Sequence, residues 1–264
     1  RGRCRKKPRL MRLDKFVSHA TGASRSQVHL WLRQGRISLN GTPCTQAALN
    51  IKDNEQICLD EAPIQLPREG YWLLHKPAGV VCANQDGQYP TVIDLVSHAL
   101  APGNLQIAGR LDVDTTGMVL ITTDGAWNHQ VTAPKKHCQK IYQVTLSEPL
   151  TPAAIAHLRA GIALREEPKP CLPADIFALS HHEYLLAINE GKYHQVKRMM
   201  AAANSHVVKL HRLAVGGLCL NDLEPGAFRP LTGDEIRQLA TSPQTLNLAS
   251  LAQSLFAGLE PTHV

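Results

Sequence analysis

The sequence has no apolar run near the ~18–20 residues that a membrane-spanning helix requires, although 44% of its 264 residues are hydrophobic. That is enough for a sizeable core, in one large domain or a small one beside a larger one. The basic opening, RGRCRKKPRL, is not followed by an apolar segment with a small-residue cleavage site. It does not read as a secretory signal, and a cytoplasmic protein without membrane contact is expected. The seven cysteines, at positions 4, 44, 58, 82, 138, 171 and 219, form no C-x-x-C pair and are odd in number. This argues against a disulfide framework and a cysteine zinc site, leaving reduced, mainly structural thiols. No G-x-G-x-x-G and no P-loop is present, so no nucleotide cofactor is expected. H-E-x-x-H and D-x-D-x-D-G are also missing, and no metal is expected.

Charge of one sign is concentrated at one end. Residues 1–36 hold eleven Lys or Arg against one acid, whereas the whole chain is only +6. A basic N-terminal block suggests a polyanionic partner. Residues 1–10 are set apart as a basic arm, with Met11 as an alternative start; without them the chain carries 22 bases and 22 acids.

Leu13, Phe16, Val17 and Ala20 recur at helical spacing, and Ser24 with Gln27 offers a capping box for a second helix that Gly35 would end. RISLNGTPC reads as a hairpin turning at Asn40-Gly41, and EQICLD as a further strand. These pieces make a small α+β module over residues 11–60, with Arg12, Lys15, Arg25, Arg33 and Arg36 as its bases. On charge alone a solvated helix face fits as well as an RNA-binding one. The stretch RLDKFVSHATGASRSQVHLWLRQGRISLNG resembles an S4 RNA-binding domain. The resemblance implies that Arg25, Arg33 and Arg36 meet RNA phosphates.

DEAPIQLPREG reads as a linker, placed at residues 61–69. Beyond it, strands are expected in YWLLHKPAGVVCA, LQIAGRLDV, MVLITTD, KIYQVTL, EYLLAIN and HVVKLHRLAV. Helices are expected in TVIDLVSHAL, TPAAIAHLRAGI and HQVKRMMAAAN, and Thr232 with Glu235 caps another. The mixed order predicts an α+β domain over residues 70–240 with a mixed sheet rather than a doubly wound fold. Residues 241–264 read as a tail carrying a loosely attached helix.

Within this domain AGRLDVDTTG sets one arginine and two carboxylates in a small, apolar run. If residues 108–113 are extended, Arg110, Asp112 and Asp114 share one face. An Arg–Asp surface pair, a turn-capping Asp and a D-x-D metal site all compete with a catalytic carboxylate here. For Asp114, beside Thr115-Thr116-Gly117, the cap is favoured.

GRLDVDTTGMVLITTDG, together with HKPAG (75–79), KIYQV (140–144) and EGKYHQVKRMM (190–200), resembles the pseudouridine synthases of the RsuA/RluB/RluE/RluF group. The resemblance covers about residues 11–240 when the S4 module is included. It implies an RNA isomerase that breaks the N1–C1′ bond of a uridine, turns the base and rejoins it through C5. By motif position Asp112 is the catalytic nucleophile or base, Tyr142 the active-site tyrosine, and Lys197 the basic residue beside Asp112. Arg110 would hold the nucleotide's phosphate region, and Arg198 is the alternative partner for Asp112 or a further RNA contact. Val196, Met199 and Met200 are expected in the core, and His194 as a hydrogen-bonded structural histidine.

The run DVDTTG with HCQKIYQVTL resembles the small-subunit branch of the group, implying 16S ribosomal RNA as substrate, expected in a partly assembled small subunit and met by a monomer. The alternatives are the same reaction on 23S rRNA, a non-catalytic ribosome-assembly factor, and a metal-dependent phosphotransferase or nuclease built on Asp112 and Asp114.

Overall fold

The computed structural model describes residues 11–52, 55–65, 69–100, 104–133, 138–241 and 243–255. The basic arm at 1–10, Pro67 of the linker and the last nine residues of the tail lie outside them. The chain divides into two compact units, one ending at Glu69 and one beginning at Gly70.

In the first unit, β1 (Met11–Arg12) leads into helices α1 (Leu13–Thr21) and α2 (Arg25–Arg33). These are followed by β2 (Ile37–Leu39), β3 (Thr42–Pro43), β4 (Asn50–Ile51), β5 (Ile57–Leu59) and β6 (Ala62–Ile64). The Ser24 hydroxyl caps α2 by accepting from the Gln27 amide at 3.3 Å, and Gly35 follows with φ +69°. Asn40 and Gly41 both take positive φ, 50° and 82°, the type I′ geometry whose twist suits a tight hairpin. Leu13, Val17, Val28, Leu32, Ile37, Ile51 and Ile57 form one buried cluster. The linker expected from residue 61 starts later, because Ala62–Ile64 pairs with β5 as the edge of a four-stranded sheet. Pro63 is tolerated there since an edge strand spares one row of donors.

The second unit is built on one mixed sheet. Its elements are β7 (Tyr71–Lys76), α3 (Val92–Val96), β8 (Gln106–Ala108), β9 (Thr116–Thr122), α4 (Gly125–Thr132), β10 (Lys140–Leu146), α5 (Pro152–Ala160) and β11 (Asp175–Ala178). They continue with β12 (Glu183–Ile188), α6 (Gln195–Ala202), β13 (Val207–Val215), β14 (Leu218–Cys219), β15 (Phe228–Pro230), α7 (Gly233–Thr241) and α8 (Leu248–Leu255). The main order is β11-β12-β10-β13-β9-β7-β15, with β14 on β13 and β8 on β9. Every pairing is antiparallel except β9 with β13. Successive residues of a strand point to opposite faces, and here both faces are covered. Val119, Ile121, Tyr142, Val144 and Leu186 pack with α3, α5 and α6. Met118 and Leu120 pack with α4 and α7, and Ile141, Leu185 and Ala187 pack with α8. That is why MVLIT is a continuous apolar run rather than an alternating one.

Three expectations change. The strand over LQIAGRLDV stops at Ala108, because Gly109 takes φ +89° and the chain leaves the ladder. The same-face reading of Arg110, Asp112 and Asp114 therefore does not hold. The first strand of this unit likewise ends at Lys76, well short of Cys82. The tail helix is not loosely attached: Leu248, Leu251 and Ala252 are buried against the sheet. At the parallel junction, a Cβ on Gly117 (φ +109°) would lie 2.3 Å from the Arg212 carbonyl oxygen, so only glycine lets β9 approach β13 there.

The sheet also sets two half-buried imidazoles edge to face, His75 and His211, with centroids 5.3 Å apart. His75 Nδ1 lies 2.6 Å from the Leu223 carbonyl and His211 Nδ1 2.7 Å from the Thr116 hydroxyl. Burial, aided by His75, pushes the His211 pKa down from 6.5 to about 4. The folded protein therefore holds His211 neutral where the unfolded chain protonates it. The contribution of His211 to stability is at its full value above pH 6.5 and is lost as the pH is lowered toward 4. The slope should stay below the ~1.4 kcal/mol per pH unit of one whole proton, since the ring is partly exposed. Denaturant unfolding of wild type and His211→Gln between pH 7 and 4.5 checks this: the variant's stability should depend less on pH. Equal slopes would contradict the assignment.

Candidate active site

The loop between β8 and β9, residues 109–115, carries the acidic pair, and buried cations set its backbone. Lys76, wholly buried at the end of β7, donates to the carbonyls of Pro77 at 3.0 Å, Val113 at 3.2 Å and Thr115 at 2.7 Å. An ammonium has three protons, so all are used. Burial pushes its pKa down, against the pull of Cys82, Asp114 and Asp112 in the other direction. On β13 the buried Arg212 donates from Nη2 to the Gly109 carbonyl at 3.1 Å and from Nε to the Met118 carbonyl at 2.7 Å. The Leu111 amide donates to Cys82 Sγ at 3.3 Å, the Gly79 amide to the Val113 carbonyl at 2.8 Å, and the Thr115 amide to the Asp112 carbonyl at 3.2 Å. The loop is thus tied at both ends and through its middle.

With the backbone fixed, Asp112 meets the start of α6. Its Oδ2 lies 3.1 Å from Lys197 Nζ and its Oδ1 3.3 Å from His194 Nε2, with the side chain one-quarter exposed. Lys197 also reaches Asp114 Oδ1 at 2.6 Å. Burial by itself lowers the Lys197 pKa, but the two aspartates outweigh it and the net shift is upward. For Asp114 burial acts to raise the pKa, and Lys197, helped by the residue's own backbone amide and by Lys76, more than reverses it. Asp114 is therefore an ion-pair partner, and the expectation of a turn cap gives way: the turn closes through the Asp112 carbonyl instead.

The loop, α6 and β10 line a cleft of about 740 Å³, the size of a small-ligand site. Tyr142, only 7% exposed, reaches it from β10, opposite Arg212 in the register. Arg110 stands exposed at its edge and makes no ion pair among the described residues. Lys140 lines it too, its Nζ 2.8 Å from the Cys138 carbonyl and its pKa lowered by burial. Arg198 does not meet Asp112; it pairs with Glu167 at 2.9 Å. Val196, Met199 and Met200 are buried in the core. Among the described residues no three His, Cys, Asp or Glu side chains gather as a metal site would need.

Three contributors are not evident from the sequence alone. His194, expected as structural, touches Asp112 and takes the left-handed φ of 46°, a conformation costing about 1 kcal/mol outside glycine. Its signal is its place at the start of the helix that supplies Lys197. Lys76 stands in the sequence as part of a strand and of the HKPAG motif, and Arg212 only as part of a strand; a basic residue inside a largely apolar strand is the feature that could have found them.

On the first unit, Arg25 and Arg33 are exposed and make no ion pair among the described residues. Arg36 is engaged: its Nε donates to Asp60 Oδ1 at 2.7 Å, and its guanidinium lies 5.4 Å from the centroid of Trp31.

The family described as RNA pseudouridylate synthase matches residues 70–202, and the S4 domain matches residues 11–57. The chain is similar to the ribosomal small subunit pseudouridine synthase A of Haemophilus influenzae, 45% identical over 87% of this chain and 99% of that protein. With the protein of the same name from Escherichia coli K12 the identity is 41%, over 86% and 98%. A crystal structure of a pseudouridylate synthase superimposes with a TM-score of 0.64 at 42% identity, covering 87% of this chain and 99% of that one. By motif, fold and overall similarity, the chain belongs to the RNA pseudouridylate synthase family.

Proposed function

We propose that this protein isomerises a specific uridine of 16S ribosomal RNA to pseudouridine, acting in the cytoplasm as a monomer on a partly assembled small subunit. The observation that carries the reading is Asp112, held by Lys197 and His194 at the wall of a 740 Å³ cleft in a chain resembling small-subunit enzymes along nearly its whole length. Asp112 acts at the sugar–base junction, as the nucleophilic carboxylate of a retaining glycosidase does, or as a base. Lys197 sets a cation 3.1 Å from the Asp112 carboxylate and orients it toward the cleft. The N1–C1′ bond breaks, and the uracil turns and bonds to C1′ through C5; the C5 proton departs and N1 gains one, so the isomerisation is redox-neutral. Tyr142 stacks on the turning base, and its hydroxyl assists removal of the C5 proton. Arg110, at the cleft edge, takes the phosphate of the flipped nucleotide.

Because the cleft reads one uridine and its sugar, the flanking RNA must supply specificity. Purified protein should form pseudouridine in 16S rRNA, more readily in a partly assembled small subunit than in the mature one. 23S rRNA should stay unmodified and EDTA should not inhibit. Asp112→Asn should abolish turnover and leave RNA affinity within about three-fold, since the removed charge serves chemistry. Modification of 23S rRNA in place of 16S rRNA would overturn the substrate, and an active Asp112→Asn would overturn the mechanism.

The N-terminal module supplies backbone contacts through Arg25 and Arg33, with Arg36, braced by Asp60, as the third. Replacing all three by Gln should weaken rRNA binding and flatten the dependence of log K on log salt by roughly 0.7–0.9 for each phosphate that is no longer neutralised. Filter binding over a potassium chloride series measures it, and an unchanged slope would show that this face does not touch the backbone.

A further inference from the structure

Among the described residues Tyr193 is the most exposed of the large hydrophobic side chains, at 76%, and its position is built rather than incidental. Its ring stacks on His194 with centroids 3.8 Å apart and planes 22° apart, and His194 in turn touches Asp112. The backbone beneath is clamped. The buried Gln195 accepts from the Lys192 amide at 2.8 Å and donates to Glu190 at 2.8 Å. Arg198 donates to the Tyr193 carbonyl at 3.2 Å and pairs with Glu167, which Lys192 also approaches. A left-handed His194 and a fixed turn thus hold one aromatic ring face against the imidazole and leave the other to solvent, beside a cleft edged by Arg110 and Lys192. A flat, exposed π-face at a cleft that the exposed Arg110 also lines is the arrangement that binds unpaired nucleobases with little regard to their identity.

We infer that Tyr193 is a stacking platform for an unpaired base neighbouring the target uridine, positioning the strand as the uridine enters the cleft. This rests on reading the protein as an enzyme of ribosomal RNA. The contact is to a base and not to a phosphate, so its removal lowers affinity without changing the salt slope.

The test measures binding and turnover of a 16S rRNA transcript by wild type, Tyr193→Phe, Tyr193→Leu and Tyr193→Ala. Thermal unfolding serves as a control, since so exposed a ring contributes little to the fold. Alanine and leucine should each weaken binding and raise KM by between about five- and 150-fold, the range of base–aromatic stacking. The slope of log K against log salt and kcat at saturation should be unchanged. Phenylalanine, which keeps the ring, should stay within about two-fold. Alanine binding like wild type, leucine substituting for the ring, or a flattened salt slope would overturn the platform. Wild type that binds 16S rRNA but forms no pseudouridine would overturn the isomerase reading and leave the binding series to decide the platform. Wild type that binds no rRNA would overturn both.

Discussion

One ammonium group, that of Lys76, sets the geometry on which the site depends. It lies wholly buried and spends its three protons on carbonyls at 77, 113 and 115. Two of those belong to the loop that presents Asp112. A buried charge without a carboxylate in contact is costly, and what offsets that cost is a loop drawn inward until three carbonyl dipoles converge. The loop does not choose its own conformation. It wraps a cation placed by the end of strand β7, with Arg212 holding the Gly109 carbonyl on the other side.

With the loop fixed from beneath, its outward face can hold two carboxylates close together. Lys197 lies between Asp112 and Asp114 and neutralises their repulsion, and His194 approaches the remaining oxygen of Asp112. Helix α6 therefore delivers both a charge and an imidazole to one carboxylate from a single turn. The same turn is braced by Glu167, Glu190 and Gln195. The surroundings of Asp112 are rigid on two sides, while the third opens to the cleft. That suits a group that must meet a sugar carbon in one orientation.

Much of the fold is legible in the sequence because its signals are local. Asn40-Gly41 announces a hairpin, Ser24 and Thr232 announce helix starts, and the apolar run in MVLITTD announces a strand. Residues 109–113 of the loop read as strand in the sequence because their conformation is dictated from 29 or more positions away, by Lys76 and Cys82, and from β13 by Arg212. Composition next to GRLDV carries no trace of those partners. Asp114 reads as a cap for the same reason: its neighbours in sequence are turn residues, but its partner in space is Lys197. Tyr193 and His194 stand in the motif EGKYHQVKRMM, yet nothing in linear order says that one ring lies on the other.

The most direct test of this dependence is to remove the buried ammonium and keep its volume, with Lys76→Met. Pseudouridine formation by the variant should be followed under conditions where its unfolding curve shows a folded domain. The expected result is a folded protein whose kcat falls by at least about a hundred-fold, as misplacement of a reacting group by an ångström costs, because three carbonyls lose their donor and the loop relaxes. A Lys76→Met variant that is folded and turns over within about three-fold of wild type would contradict the account.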